Sequence, residues 1–411
     1  MPGPSRKELL VSLLTTTAVA ALPSAISAAV QTSNEITLDD LKAASKSAGV
    51  SFTETELKAI VASVKSNREA ANALRGEGLP NDLEAAFRFV PLGGGSVPGN
   101  VKARPTGVKV SRKGFSDEDI AFLSVTQLAH LIKTKQLRSR ALTEIYLARL
   151  KRYDPKLLCV VNLTEERALR EADAADREIA EGRYRGPLHG IPYGLKDLFA
   201  AKGAPTTWGA GPYRDQVLDF DSTVVQKLNV AGAVLVAKLT NGALAMDDKW
   251  FGGQTKNPWN TQQGSSGSSA GSASATAAGL VGFAIGTETL GSIVSPSIRC
   301  RITGLRPTYG RVSRHGGMVL AQTMDKVGPI CRTAEDAALV LAAIAGSDPQ
   351  DPSAVDHPFA YPKRLDYEKL KIGVLVPANR RSAPLPENPV TKLLKEFGAR
   401  LESIAFSPLP P

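Results

Sequence analysis

The chain has 411 residues, 43% of them hydrophobic, with 50 Lys and Arg against 40 Asp and Glu for a net charge of +10. That apolar share supports a sizeable core, and the length allows two to three average domains or one large α/β domain with additions. The basic residues are spread along the chain; the densest run, residues 133–152, alternates with Leu137, Leu142, Ile145 and Leu150 at helical spacing, a solvated helix face without the aromatic interleaving that would make nucleic acid the expected partner.

In chain order, Arg6 and Lys7 precede a largely apolar stretch, residues 9–22, which is followed by the small residues of Ser24-Ala-Ile-Ser-Ala-Ala29. This is the order of a secretory leader, so residues 1–29 are expected to be a signal peptide and the protein to be exported, to the periplasm or the extracellular space. The segment is too short and too rich in Thr to span a bilayer, and no stable membrane span is expected once it is removed. Residues 30–90 read as a helical N-terminal extension. Helices are expected over 38–48 and 53–74, the second opened by a Thr53/Glu56 capping box and broken at Gly76, Gly78 and Pro80, with a further helical turn at 82–89. The extension carries no chemistry of its own and serves either to pack on the rest of the chain or to build a homo-oligomer. Residues 91–115, rich in Gly, Pro and basic side chains, read as a linker.

From residue 116 helical and strand patterns alternate. A Ser124/Gln127 capping box opens a helix over 125–135, and a second helix covers 140–153. A strand over 158–163 and a helix over 165–181, stopped by Gly182, come next. Ile191-Pro192 and the block ending at Lys196 form strand and loop, 222–231 forms a helix, and 234–237 a strand of fully buried type. The alternation argues for an α/β fold, a mixed β-sheet covered by helices. An Ala-rich helix is expected over 272–279. Towards the end, a strand over 371–376, a helix over 390–399 and a strand over 401–406 show α/β units still being laid down where the sequence stops. The domain running from 116 to 411 is therefore expected to lack its C-terminal part.

The most informative stretch is residues 264–307, dense in Gly, Ser, Ala and Thr and almost without charge. Apolar runs at 277–285 and at Ile293-Val294 set it apart from a solvated linker; it reads as a buried segment whose backbone approaches something closely. It offers hydroxyls, Ser268 and Ser292 among them, beside backbone N–H groups freed by Gly267, Gly271 and Gly291. A buried Ser among unpaired N–H groups is a nucleophile beside an oxyanion hole, and it needs a base. The chain has four histidines, His130, His189, His315 and His357, none nearby in sequence. A Lys kept neutral by burial can serve instead, and Lys196, preceded by small and apolar residues, is the best candidate.

With these residues in view, the chain resembles the amidase signature family, whose pattern is a GSSGGSA-type run followed by a GTDxGGSIR-type run. Here they are Gly267-Ser-Ser-Ala-Gly-Ser-Ala273 and Gly286-Thr-Glu-Thr-Leu-Gly-Ser-Ile293. Further blocks are Gly186-Pro-Leu-His-Gly-Ile-Pro192, Lys196-Asp197, Lys238-Leu-Thr-Asn241, Asn257-Pro-Trp259, Gly304-Leu-Arg-Pro307, Asp325 and Gly328-Pro329. The resemblance implies the amidase signature fold and a Ser–cis-Ser–Lys triad, with Ser292 as nucleophile, Ser268 as bridging serine and Lys196 as base. It implies oxyanion donors at the backbone N–H groups of Thr289, Leu290, Gly291 and Ser292, and hydrolysis of a small-molecule amide with neither cofactor nor metal. Ser265-Ser266 also precedes a Gly, and the family's spacing between the serines selects Ser268. Leu290 and Ala270 stand where the family usually has Gly, Val294 where it has Arg, and Arg301 follows Cys300 where Gly is common. Two rival readings are a truncated, non-catalytic binding protein and the glutaminase component of an amidotransferase. Asp197 is expected to orient backbone and not to pair with its neighbour Lys196, and His189 to be a structural hydrogen-bonder. Cys159, Cys300 and Cys331, widely spaced and without a metal pattern, read as buried free thiols.

Overall fold

The computed structural model describes residues 35–47, 49–76, 101–361, 366–376 and 385–405. The expected leader at 1–29 and the helical turn at 82–89 lie outside the described residues. The chain divides into two compact units, residues 1–84 and 85–411. In the first, α1 (Leu38–Ser47) and α2 (Glu54–Gly76) stand where apolar spacing put helices. The Thr53 N–H donates to the Glu56 carboxylate at 2.7 Å and the Glu56 N–H to Thr53 Oγ1 at 3.3 Å, the reciprocal box expected there. Among the described residues, no helix is long and apolar enough to cross a membrane.

The second unit is built on a six-stranded sheet. Its strands are β1 (Val160–Leu163), β2 (Pro192–Lys196), β3 (Val234–Leu239), β4 (Phe283–Glu288), β5 (Thr303–Gly304) and β6 (Lys326–Cys331), in the order β5-β6-β4-β2-β3-β1. The central strands β4, β2 and β3 run parallel, whereas β1, β6 and β5 each pair antiparallel. The sheet is mixed, as the alternation implied. β2 and β3 are buried along their whole length, and β4 at every residue but Thr287, because both faces are covered. On β3, Leu235 joins one apolar cluster with Tyr193, Leu195, Phe283 and Ile285, while Val234 and Val236 join a second with Ala284, the period-2 alternation of a strand dividing its side chains between two layers.

The covering helices include α3 (Asp117–Ala121), α4 (Val125–Lys133), α5 (Ser139–Leu157), α6 (Glu165–Ala180), α7 (Thr223–Val230), α8 (Ala270–Ala277), α9 (Val294–Cys300) and α10 (Ala334–Ile344). Ser124 caps α4 in the expected reciprocal box with Gln127. The next helix, α5, runs through Pro155 to Leu157, beyond its expected end, and stops at Leu158 in the left-handed conformation. Residues 101–103, read from sequence as linker, form a strand that pairs in parallel with Phe359–Tyr361. Towards the end, Lys371–Leu375 and Arg400–Ile404 pair in parallel, close to where strands were expected.

One topological consequence positions the site. Parallel strands β2 and β4 end at the same sheet edge, carrying Lys196 and Glu288 there. Antiparallel β6 begins at that edge, with Lys326 opposite Glu288. The carboxyl ends of parallel strands are where α/β sheets leave room for a ligand.

Candidate active site

Lys196, the last residue of β2, is fully buried. Its Nζ lies 2.8 Å from Ser268 Oγ, 3.0 Å from Ser269 Oγ and 2.8 Å from Thr287 Oγ1. No carboxylate pairs with it among the described residues. Burial pulls its pKa from the ordinary 10.5 down to about 7, against the opposing pull of the Asp325 and Glu288 carboxylates. Ser269 immediately precedes α8, so the positive end of that helix also faces the amine and disfavours charge on it.

A second buried lysine, Lys238, provides the contrast. Its Nζ forms a 2.7 Å ion pair with Asp197, both side chains having no exposed surface, and also donates to Thr206 Oγ1 and the Pro205 carbonyl. Burial lowers the Lys238 pKa while Asp197 opposes it. Asp197 does accept from the Thr207 backbone N–H at 2.9 Å, as expected of a backbone-orienting group, but its principal partner is this lysine, 41 positions away. The expectation for Asp197 is corrected to that extent. Asp197→Asn leaves a buried ammonium without its counter-ion and is expected to destabilise the protein by about 3–5 kcal/mol, read as a lower midpoint in urea unfolding. His189 is a structural hydrogen-bonder: its Nδ1 accepts from the Arg185 N–H at 3.1 Å, and burial lowers its pKa.

The serine run is held tightly. The Gly267–Ser268 peptide is cis. A Cβ on Gly267 would lie 1.8 Å from the Asp247 carbonyl oxygen, so the closeness of that backbone demands glycine. Ser266 Oγ instead meets Ser295 Oγ at 2.7 Å, away from the lysine. Ser292 is 9% exposed and joins the cluster through its backbone, its carbonyl accepting from the Ser269 N–H at 3.1 Å. Ser292 Oγ makes no hydrogen bond to Ser268 in this resting geometry.

Between β4 and α9 the chain turns through Thr289, Leu290 and Gly291, the last at φ +85°, the left-handed region that glycine enters freely. Glu288, buried at the end of β4, accepts from the N–H groups of Ile293 at 2.8 Å and Val294 at 2.9 Å. Burial pushes its carboxyl up, but the N–H groups of Val294, Ile293 and Gly291, helped by Arg306, outweigh that and leave it below its ordinary value. The N–H groups of Thr289, Leu290 and Ser292 have no acceptor among the described residues. Of the four expected oxyanion donors, then, three are uncommitted and the Gly291 N–H faces Glu288. The Leu290 side chain is 74% exposed and turns outward.

A cavity opens beside the cluster, lined on its polar side by Thr287, Thr289, Asp325 and Lys326 and on its apolar side by Phe199 and Met318. Cys159, Cys300 and Cys331 are buried free thiols. Among the described residues no group of three or more His, Cys, Asp or Glu side chains is placed to hold a metal ion. Sequence reasoning missed Thr287, Ser269 and Glu288; the Thr and the acidic residue of the GTDxGGSIR-type pattern were the available signal for two of them.

The Amidase family model matches residues 141–408. The putative amidase AmiD of Mycobacterium tuberculosis is 46% identical over 250 residues, covering 59% of this chain and 51% of its own. A glutamyl-tRNA(Gln) amidotransferase chain of Methylococcus capsulatus is 44% identical over 257 residues, covering 61% and 53%. The chain thus spans about half the length of the curated relatives it matches. The native peptide amidase of Stenotrophomonas maltophilia has a similar fold, with a TM-score of 0.62 at 37% identity, over 69% of this chain and 62% of that one.

Proposed function

Because the chain belongs to the amidase family, whose model matches residues 141–408, we propose that it hydrolyses a carboxylic amide C–N bond through an acyl-enzyme on Ser292, with Ser268 as proton relay and Lys196 as base. The observation that carries this reading is the buried Lys196 amine, without a carboxylate partner and 2.8 Å from Ser268 Oγ.

A count of protons supports the direction of transfer. A neutral amine has two N–H donors and one lone pair. Ser269 Oγ donates its own proton to the Thr287 carbonyl at 3.0 Å, so towards Lys196 it accepts. If Thr287 Oγ1 accepts the second N–H, the lone pair faces the Ser268 hydroxyl. Ser268 then gives its proton to Lys196 while taking one from Ser292, and Ser292 Oγ attacks the amide carbonyl. The relay returns a proton to the leaving amine; water, activated through the same relay, opens the ester, releases the acid and restores Ser292. The Ser268–Ser292 bond must close on substrate binding, since catalytic hydrogen bonds are often long in a substrate-free site. The uncommitted N–H groups of Thr289, Leu290 and Ser292 are suited to the oxyanion, where one donor is commonly worth about 10²–10³ in rate.

Hydrolysis screened across aliphatic, aryl and peptide amides, with fluorophosphonate labelling, tests the reading. The expected result is turnover of at least one amide and an adduct on Ser292. A folded protein that takes no label would favour a non-catalytic binding protein. Ser268→Ala is expected to lower kcat by about 10³-fold with the fold intact, checked by turnover and a melting curve, because the nucleophile loses its path to the base. The 44% identity to the glutamyl-tRNA(Gln) amidotransferase chain supports a glutaminase reading, which release of ammonia from glutamine would reveal. The leader-like segment at 1–29 supports export and an extracytoplasmic substrate; a reporter fused after residue 29 and found in the cytoplasm would refute that.

A further inference from the structure

We propose that Asp325 and Lys326 are positioning residues that aim the oxyanion-binding peptide between Thr289 and Leu290; this rests on the reading of Ser292 as nucleophile. Both residues are 8% exposed. Lys326 opens β6 opposite Glu288, so the pair stands beside the loop that leads to Ser292. Lys326 Nζ donates to the Thr289 carbonyl at 2.9 Å. Asp325 Oδ1 accepts from Thr289 Oγ1 at 2.6 Å, and its Oδ2 is fixed by the N–H groups of Leu320 at 2.8 Å and Ala321 at 3.1 Å. Thr289 is therefore gripped twice, its main chain by a cation and its side chain by an anion.

The geometry of the peptide group converts that grip into aim. The Thr289–Leu290 peptide is planar and trans, so its C=O and N–H point in opposite directions. Anchoring the oxygen on Lys326 turns the Leu290 N–H away from Lys326, and that N–H has no acceptor among the described residues. A positive charge on the carbonyl oxygen also polarises the amide and strengthens its N–H as a donor. Lys326 has no carboxylate within ion-pair distance among the described residues, although Asp325 and Glu288 act on it from further off. A largely buried lysine with no ion-pair partner among the described residues, whose ammonium hydrogen-bonds a single peptide oxygen, is placed to hold that oxygen.

The test uses Lys326→Met and Lys326→Arg in the full chain, with Ser292→Ala as reference. K326M is expected to lower kcat by about 10- to 100-fold with KM within about twofold, since only transition-state charge is less well held. It should weaken binding of a trifluoromethyl ketone built on the acyl group of the best-hydrolysed amide by the same factor. K326R, which keeps donor and charge, should recover part of the loss. If K326M does not give a wild-type melting curve, Lys326→Gln is read in the same assays. An unchanged kcat overturns the proposal; so does a rise confined to KM, which would make Lys326 a substrate contact. A wild-type rate that Ser292→Ala leaves intact overturns the nucleophile assignment, and this one with it.

Discussion

Ser292→Ala is expected to lower amide turnover by about 10⁴- to 10⁶-fold and to abolish fluorophosphonate labelling, while the melting curve stays within a few degrees of wild type. The methyl group fills nearly the same space, and the backbone bond from the Ser269 N–H to the residue 292 carbonyl survives. What disappears is the hydroxyl proposed to carry the acyl group, while the Ser268 and Ser269 hydroxyls stay on Lys196. Residual turnover within tenfold of wild type would move the nucleophile elsewhere. Ser266, whose Oγ faces Ser295, would then be the next serine to test.

The second large effect concerns Lys196. Its amine is held near 7, and only the neutral form can accept a proton. The rate of the acylation step is therefore expected to rise with pH, with unit slope in log kcat/KM below about 7, and to level off above it. Lys196→Met should remove about three orders of magnitude and the acidic limb together. The stability sign is separate and opposite to intuition about losing an active-site residue. Between about 7 and 10.5 the unfolded lysine binds a proton that the folded one does not, so stability rises with pH across that window. Below it a buried ammonium is carried in full. Lys196→Met is thus expected to flatten this dependence and to be no less stable than wild type at pH 6, measured by urea unfolding at pH 6 and pH 9. A pH–rate profile without an inflection in the neutral range would sink the assignment of Lys196 as base.

Much of this was legible in the residues. The 3.6- and 2-residue periodicities placed the helices and central strands, because each is set by which side chains must face the core. Lys196, Ser268 and Ser292 were named from a low-charge stretch, a missing histidine and a family pattern. The capping boxes at Thr53 and Ser124 are local and were readable for that reason. Leu158, which closes α5 and whose carbonyl accepts from Thr255 Oγ1, and the strand at 101–103, which pairs with 359–361, were not, since those partners are distant in the chain.

The sequence by itself determined the alternation of elements, the hydroxyl-rich, nearly uncharged make-up of residues 264–307 and the lack of a histidine near it in sequence. Those are properties of residue types and their spacing. Only the tertiary structure separates the two buried lysines: Lys238 meets the Asp197 carboxylate, whereas Lys196 meets three hydroxyls and, at 3.4 Å, the Thr287 carbonyl, a difference set by partners more than thirty positions away in the chain. It also decided that Glu288 takes up the Gly291 N–H side of the turn while Asp325 and Lys326 grip Thr289. The reason is topological. Parallel β2 and β4 end, and antiparallel β6 begins, at one edge of the sheet, and no local pattern records which strands will be neighbours there.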